Sequence, residues 1–174
     1  MFKELNNLRL FFEFPSREYN VRDVARNLKI APATASKELK ILAKKGILKR
    51  RVYKNFNFYK ANLDSDFYRD LKVFYTLRQI KESGLIESLN KLYLKPTIIL
   101  FGSASVGMNN DTSDLDILII SENIQEFVDL KKFEKNLNTK IQLFIVKDIK
   151  DLKNRHLINN VLNGIVIQGE IKWT

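Results

Sequence analysis

The sequence contains no cysteine, which excludes disulfides and any thiolate metal centre and is compatible with a reducing compartment. It has three prolines and six glycines in 174 residues, no low-complexity tract and no internal repeat, so no stretch reads as a flexible Pro/Gly-rich linker. No apolar run is long enough to span a bilayer, and the N-terminus lacks a signal-peptide layout. These absences lead us to expect a soluble, cytoplasmic protein with no membrane partner. Histidine occurs once, as His156, with no acid nearby on a clear helical face, which favours a surface or helix-capping role over general-base chemistry.

Positive charge is unevenly distributed. Residues 1–62 hold 15 Lys or Arg against 5 Asp or Glu, a net charge of +10, whereas residues 63–174 hold 15 of each. A length of 174 residues admits one ordinary domain or two small ones, and the charge asymmetry favours two. A compact basic half is the electrostatic footprint of a nucleic-acid binder, although by charge alone a basic membrane-surface patch looks similar.

Within that half, Leu5, Leu8 and Phe12 space a first helix that must stop near Phe14, because Pro15 disfavours helical geometry in the residue before it. Val21, Val24, Ala25 and Leu28 mark a second helix. Ala35, Leu39, Leu42 and Ala43 mark a third, entered through Pro32 and stopped at Gly46. Ile47 to Tyr53 and Phe56 to Ala61 read as two strands around a turn at Lys54 and Asn55. Thr34-Ala35-Ser36-Lys37, Leu39, Leu42, Lys44 to Leu48 and the basic hairpin together resemble the winged helix-turn-helix domains of bacterial and archaeal transcription regulators. The resemblance implies double-stranded DNA as a partner, with Ala33, Thr34, Ser36, Lys37 and Lys40 on the outer face of a recognition helix and Lys49, Arg50, Arg51 and Lys54 on phosphates beside the groove.

Residues 63–94 read as a helical connector. Phe67, Leu71, Phe74 and Tyr75 form one stripe and Val73, Leu77 and Ile80 another, so the helix after Asp64 must bury more than one face, between domains or against a second copy. A homodimer is the expected assembly, because operator half-sites are usually paired. Leu85, Leu89 and Leu92 space a shorter helix placed to cover the sheet that begins at Thr97.

In the last part, residues 95–174, Thr97 to Phe101 is an apolar strand that ends in a turn at Gly102 and Ser103, where backbone N–H groups and a hydroxyl can meet phosphate oxygens. Asp114 and Asp116 flank the start of a second apolar strand, Leu115 to Ile120. Side chains two apart on a strand share a face, so the two carboxylates converge, and like charges that close call for a cation. Magnesium suits one or two carboxylates together with substrate phosphates. Gly102, Ser103, Gly107, Ser113, Asp114 and Asp116 resemble the pattern of the DNA polymerase beta-type nucleotidyltransferase superfamily.

That resemblance implies a magnesium-dependent site in which Asp114 and Asp116 are catalytic and metal-binding, Gly102 and Ser103 hold the nucleotide, and a nucleoside triphosphate, ATP first, is ligand or substrate. Relatives supply a third carboxylate from the next strand. Here that strand is Lys140 to Val146 and the corresponding position is Gln142, an amide without charge; Asp148, beyond the strand, is a poor substitute. Val106 also stands where related sequences commonly carry a polar residue such as Arg. The expected fold class is α+β: an N-terminal winged helix-turn-helix (1–62), a helical connector (63–94) and a C-terminal nucleotidyltransferase-type mixed sheet flanked by helices (95–174). Three functions stay open on sequence: a DNA-binding regulator that binds nucleotide and magnesium with transfer reduced or lost, an active enzyme moving a nucleoside monophosphate, AMP first, onto a protein or small acceptor, and an antitoxin-like partner of a helical protein.

Overall fold

A computed structural model describes residues 2–171, with side chains from Leu5 onward. The chain divides into two units, Met1–Tyr75 and Thr76–Thr174. Trp173, which the sequence favours as a packing residue over a base-stacking platform, lies outside the described residues.

The first unit contains helices α1 (Phe2–Glu13), α2 (Val21–Leu28) and α3 (Pro32–Lys44), with strands β1 (Tyr19–Asn20), β2 (Leu48–Tyr53) and β3 (Phe56–Ala61). Helix α1 ends one residue before Phe14, as Pro15 requires. Asn20 and Asp23 form a reciprocal capping box at the start of α2: the Asp23 N–H donates to Asn20 Oδ1 at 3.0 Å, and the Asn20 N–H donates to Asp23 Oδ2 at 3.1 Å. Pro32 occupies the first turn of α3, where no N–H is missed, and Ala35, Leu39 and Leu42 are its buried residues. The two-residue turn between β2 and β3 places Lys54 and Asn55 at φ of 44° and 64°, the left-handed pair that matches the twist of a tight hairpin.

The three strands form an antiparallel sheet in the order β1–β3–β2. Strand β1 has only two residues, too few to leave a periodic signal, and it gives β3 a second neighbour. Leu8, Phe11, Phe12, Val24, Ala35, Leu39, Leu48 and Tyr59 form the centre of the core. Burying each large apolar side chain among these contributes about 1.5–3 kcal/mol.

Helix α4 (Asp66–Glu82) runs through the division between the units. Up to Tyr75 it belongs to the first: Tyr68 is buried and its hydroxyl donates to the Phe11 carbonyl at 2.7 Å, while Tyr75 packs on Phe12 with ring centroids 5.0 Å apart. Beyond that, Leu77 and Ile80 join the core of the second unit. Of the two stripes, only Leu71 and Tyr75 of the first and Leu77 and Ile80 of the second join a core, each that of its own unit, whereas Phe67 and Phe74 stay exposed.

The second unit continues with α5 (Leu85–Tyr93), β4 (Thr97–Phe101), a 3₁₀ turn at Gly102–Val106, β5 (Leu115–Ile120), α6 (Leu130–Leu137), β6 (Ile141–Val146), α7 (Arg155–Leu162) and β7 (Ile165–Gln168). Its sheet has the order β6–β5–β4–β7 and is mixed, since β5 and β6 run parallel and the other pairs antiparallel. Ile98, Leu100, Leu115, Ile117 and Ile119 bury one face under Leu85, Leu89 and Phe133. Ile99, Phe101 and Leu118 bury the other face under Ile149, Leu152 and Val161. This central sheet is apolar on both sides, which explains the near-continuous hydrophobic runs of β4 and β5.

Gly164 follows Asn163, the residue that caps α7, and a Cβ there would lie 2.6 Å from the Leu100 carbonyl oxygen of β4, so the close approach of the two segments requires glycine.

Candidate functional site

The face of the second unit's sheet that carries Phe101 and Leu118 also carries the candidate residues. Phe101, Asp116 and Gln142 are cross-strand partners in one row across β4, β5 and β6. Side chains so related share a face, so Gln142 stands directly beside Asp116. Asp114 precedes the first residue of β5 and is exposed, whereas Asp116 is half-buried.

Gly102 follows Phe101 with φ +70°, in the left-handed region. A Cβ at this position would collide with Asp116 Oδ2 and sit 3.2 Å from Asp116 Cγ. The glycine is therefore required twice, by its backbone conformation and by the carboxylate lying against its α-carbon. Ser105 Oγ donates to the Gly102 carbonyl at 2.8 Å and the Met108 N–H donates to the Ser103 carbonyl at 2.9 Å, which fix the turn that presents half-exposed Ser103. Gly107 closes it at φ +69°.

The loop into Asp114 is held by residues whose part the sequence pattern alone did not reveal. Asn110 Oδ1 accepts from the Thr112 N–H at 2.9 Å and from Ser113 Oγ at 3.1 Å, while Ser113 Oγ accepts from the Asn110 N–H at 2.9 Å. Thr139 Oγ1 donates to the Ser113 carbonyl at 3.2 Å, and the Leu115 N–H donates to the Lys140 carbonyl at 2.8 Å, tying the start of β5 to the segment before β6. An Asn-x-Thr-Ser string ahead of two aspartates is the available sequence signal for such a self-bonded turn.

Burial raises the Asp116 carboxyl above its ordinary range, and the negative charge of Asp114 raises it further. Two acids in electrostatic contact, one of them partly desolvated and seated in a cradle that only glycine leaves open, are a donor set suited to a hard divalent cation such as magnesium. Among the described residues, no third Asp, Glu or His completes a cluster with them. Asp148 serves elsewhere, accepting from the Lys150 N–H at 2.8 Å to cap a short 3₁₀ turn at Ile149–Asp151. His156 is exposed in the first turn of α7, with Asn154 as the cap that accepts its backbone N–H at 2.9 Å.

In the first unit, Ala33, Thr34, Lys37 and Lys40 are exposed on α3 and Ser36 is half-buried. Ala33, Thr34 and Lys37 also line a cleft of about 650 Å³ together with Leu5, Leu8 and Phe67, whereas Ser36 and Lys40 do not, so the expected recognition face is divided and only part of it borders the cleft. Arg50 Nε donates to Asn57 Oδ1 at 2.9 Å, and Lys54 is exposed at the hairpin turn. Arg51 is differently engaged: its guanidinium reaches both carboxylate oxygens of Glu18, with Nε to Oε1 at 3.1 Å, and this pairing holds the Glu18 carboxyl below its ordinary range. Lys49 pairs with Asp64. Of the five hairpin cations, Lys49 and Arg51 are thus ion-paired and Lys60 acts electrostatically on Glu18, which leaves Arg50 and Lys54 without an acidic partner among the pairs described.

No curated protein matches the chain. A crystal structure of the hypothetical protein PyrSV_gp04 from Pyrobaculum spherical virus is similar at 15% identity over 94% of this chain and 83% of that one, with a TM-score of 0.32, too slight a likeness to carry an argument. Residues 82–167 match the family model described as the nucleotidyltransferase domain. That span takes in Gly102, the Asp114–Asp116 pair and all four strands of the mixed sheet save the last residue of β7, so the part of the second unit that holds the candidate site is similar to the nucleotidyltransferase domain.

Proposed function

We propose that the protein is a DNA-binding regulator whose nucleotidyltransferase domain binds a magnesium–nucleoside triphosphate complex, ATP first, and transfers nucleotide slowly or not at all. The observation that carries the reading is the row Asp116–Gln142 beside Gly102. Asp114 and Asp116 would hold magnesium, which when bound neutralises phosphate charge. The turn at Gly102 and Ser103 would position the phosphates. Gln142 offers an amide oxygen that can accept a hydrogen bond from water or an acceptor hydroxyl but carries no charge and takes no proton near neutral pH. Binding therefore keeps its main determinants while activation of an acceptor loses one.

The DNA-binding half of the proposal is supported by the basic excess of residues 1–62 and by the exposure of Lys40, Arg50 and Lys54. A winged helix placing α3 in the major groove, with the β2–β3 hairpin alongside, is the reading these features favour. The retained aspartate pair favours a second reading, an active enzyme transferring a nucleoside monophosphate to a protein or small acceptor. Titration of the full chain with each labelled nucleoside triphosphate, with and without magnesium, tests the first reading. The expected result is magnesium-dependent binding that disappears when Asp114 and Asp116 are both replaced by Asn. Absence of binding under every metal condition would refute it, and brisk transfer by the native protein would favour the enzyme.

A further inference from the structure

The β2–β3 hairpin has two faces of different chemistry. Leu48, Ala61 and Tyr59 are buried, so their row, Leu48–Ala61, Arg50–Tyr59 and Val52–Asn57, faces the core at its base. The alternate row faces away: Lys49–Lys60, Arg51–Phe58 and Tyr53–Phe56. Cations and aromatic rings thus share one side of a two-stranded ribbon. The Arg51 guanidinium lies 5.5 Å from the ring centroids of both Tyr53 and Phe58, and Lys54 Nζ lies 5.4 Å from that of Tyr53. Glu18 anchors Arg51 from outside the hairpin, so the guanidinium is fixed between the rings. Tyr53 is 51% exposed and Phe56 55%, and neither they nor Phe58 belongs to the core of the unit.

Large aromatic rings left in water at the tip of a basic hairpin, braced by cations, are not explained by folding. Basic charge tracks a phosphate backbone, and an aromatic face accepts any base, because every base has a π-surface. A base within an intact duplex is already stacked and offers its flat face to no side chain. The geometry points to a second nucleic-acid site on this hairpin, a platform on which Tyr53 and Phe56 stack unpaired bases of single-stranded DNA while Lys54 and Lys60 neutralise the adjoining phosphates. This rests on the reading of the first unit as a DNA binder and adds to it a preference for duplex that contains a locally unpaired segment.

The test measures affinity of the full-length protein for a labelled duplex, for the same duplex with a short central bubble, and for the bubble with 2-aminopurine at the unpaired positions. The bubble binds at least about fivefold tighter than the duplex, the gain from stacking a single base, and 2-aminopurine fluorescence is quenched on binding. Tyr53→Ala with Phe56→Ala removes the preference and the quenching while leaving duplex affinity within about twofold, since the stacking term is absent there. Tyr53→Phe retains both effects, and Val52→Ala, on the opposite face, serves as the control for hairpin integrity. Duplex binding with no preference for the bubble overturns this inference alone, whereas binding to neither overturns the DNA-binding reading as well. A concentration-dependent dimer that is lost in the double variant, without bubble preference, would assign the rings to a second copy of the chain and likewise overturn it.

Discussion

Replacing Gly102 with Ala tests how the candidate site is built, because a second glycine in the same unit supplies a matched control. Gly102 and Gly84 both hold positive φ, +70° and +78°, but a Cβ on Gly84 meets nothing within 4 Å, whereas on Gly102 it collides with the Asp116 carboxylate. Left-handed backbone costs an L-residue about 1–2 kcal/mol, and both substitutions incur that. Gly102→Ala must in addition displace a side chain in a packed setting, a change of about 1–3 kcal/mol. A unit of this size shifts its melting temperature by about 4–8 °C per kcal/mol, so Gly84→Ala lowers it by about 4–16 °C and Gly102→Ala by more. Urea unfolding with an unchanged m-value separates such strain from a change in the unfolded state. The decisive readout is magnesium-dependent nucleotide binding, which Gly84→Ala preserves and Gly102→Ala loses as Asp116 moves. Equal destabilisation by the two substitutions, with nucleotide affinity intact in both, would refute the close approach of Asp116 to Gly102.

Three further outcomes are expected. Duplex binding weakens with salt, and Arg50→Ala with Lys54→Ala lessens the steepness of the log–log salt dependence by up to about 2, at roughly 0.9 per phosphate contact; an unchanged slope would exclude these two cations from the interface. The raised pKa of Asp116 means that the folded state holds this proton more tightly than the unfolded chain does. In metal-free protein, stability therefore falls as pH rises from the ordinary aspartate value through the raised folded value, and Asp116→Asn flattens that segment of the pH–stability curve. Tyr59→Phe raises stability by about 1 kcal/mol in urea unfolding, because the buried Tyr59 hydroxyl has no hydrogen-bond partner among the described residues.

Helix α2 and strands β4 and β5 were legible in the sequence for two reasons: a helical period dominates α2, and β4 and β5 are near-continuous apolar runs bounded by polar or turn residues. Val21–Leu28 and Thr97–Phe101 have the bounds their patterns imply, and Leu115–Ile120 follows directly on Asp114. Strand β1 was not legible, since two residues cannot display a period and its pairing with β3 is a tertiary fact. Helix α6 was also missed: its apolar residues Leu130, Phe133 and Leu137 are separated by charged residues and Asn, and its burial depends on Phe127 in the preceding loop stacking on Phe133.

At the site, spacing alone brought Asp114 and Asp116 together, but the contact of Asp116 with Gly102 could be seen only once β4 and β5 were paired. On the hairpin, charge was read without its partners. Arg51 looks in sequence like its neighbour Arg50, and only the fold shows that Glu18, 33 positions earlier, occupies it. The alternation of Lys49, Arg51 and Tyr53 with Phe56, Phe58 and Lys60 was present in the sequence as a period of two, but its consequence depends on which row the core covers.

The central proposal is that the second unit binds nucleotide through an aspartate pair while Gln142 withholds the third charge. It is tested most directly by comparing transfer of labelled nucleoside monophosphate by the native protein and by Gln142→Asp, at saturating nucleotide and magnesium and in the presence of whole-cell acceptors. The account predicts slow or undetectable transfer by the native protein and a gain of about a hundredfold from the substitution, the scale of a restored general base, with nucleotide affinity little changed. Brisk transfer by the native protein with no gain from Gln142→Asp would contradict it.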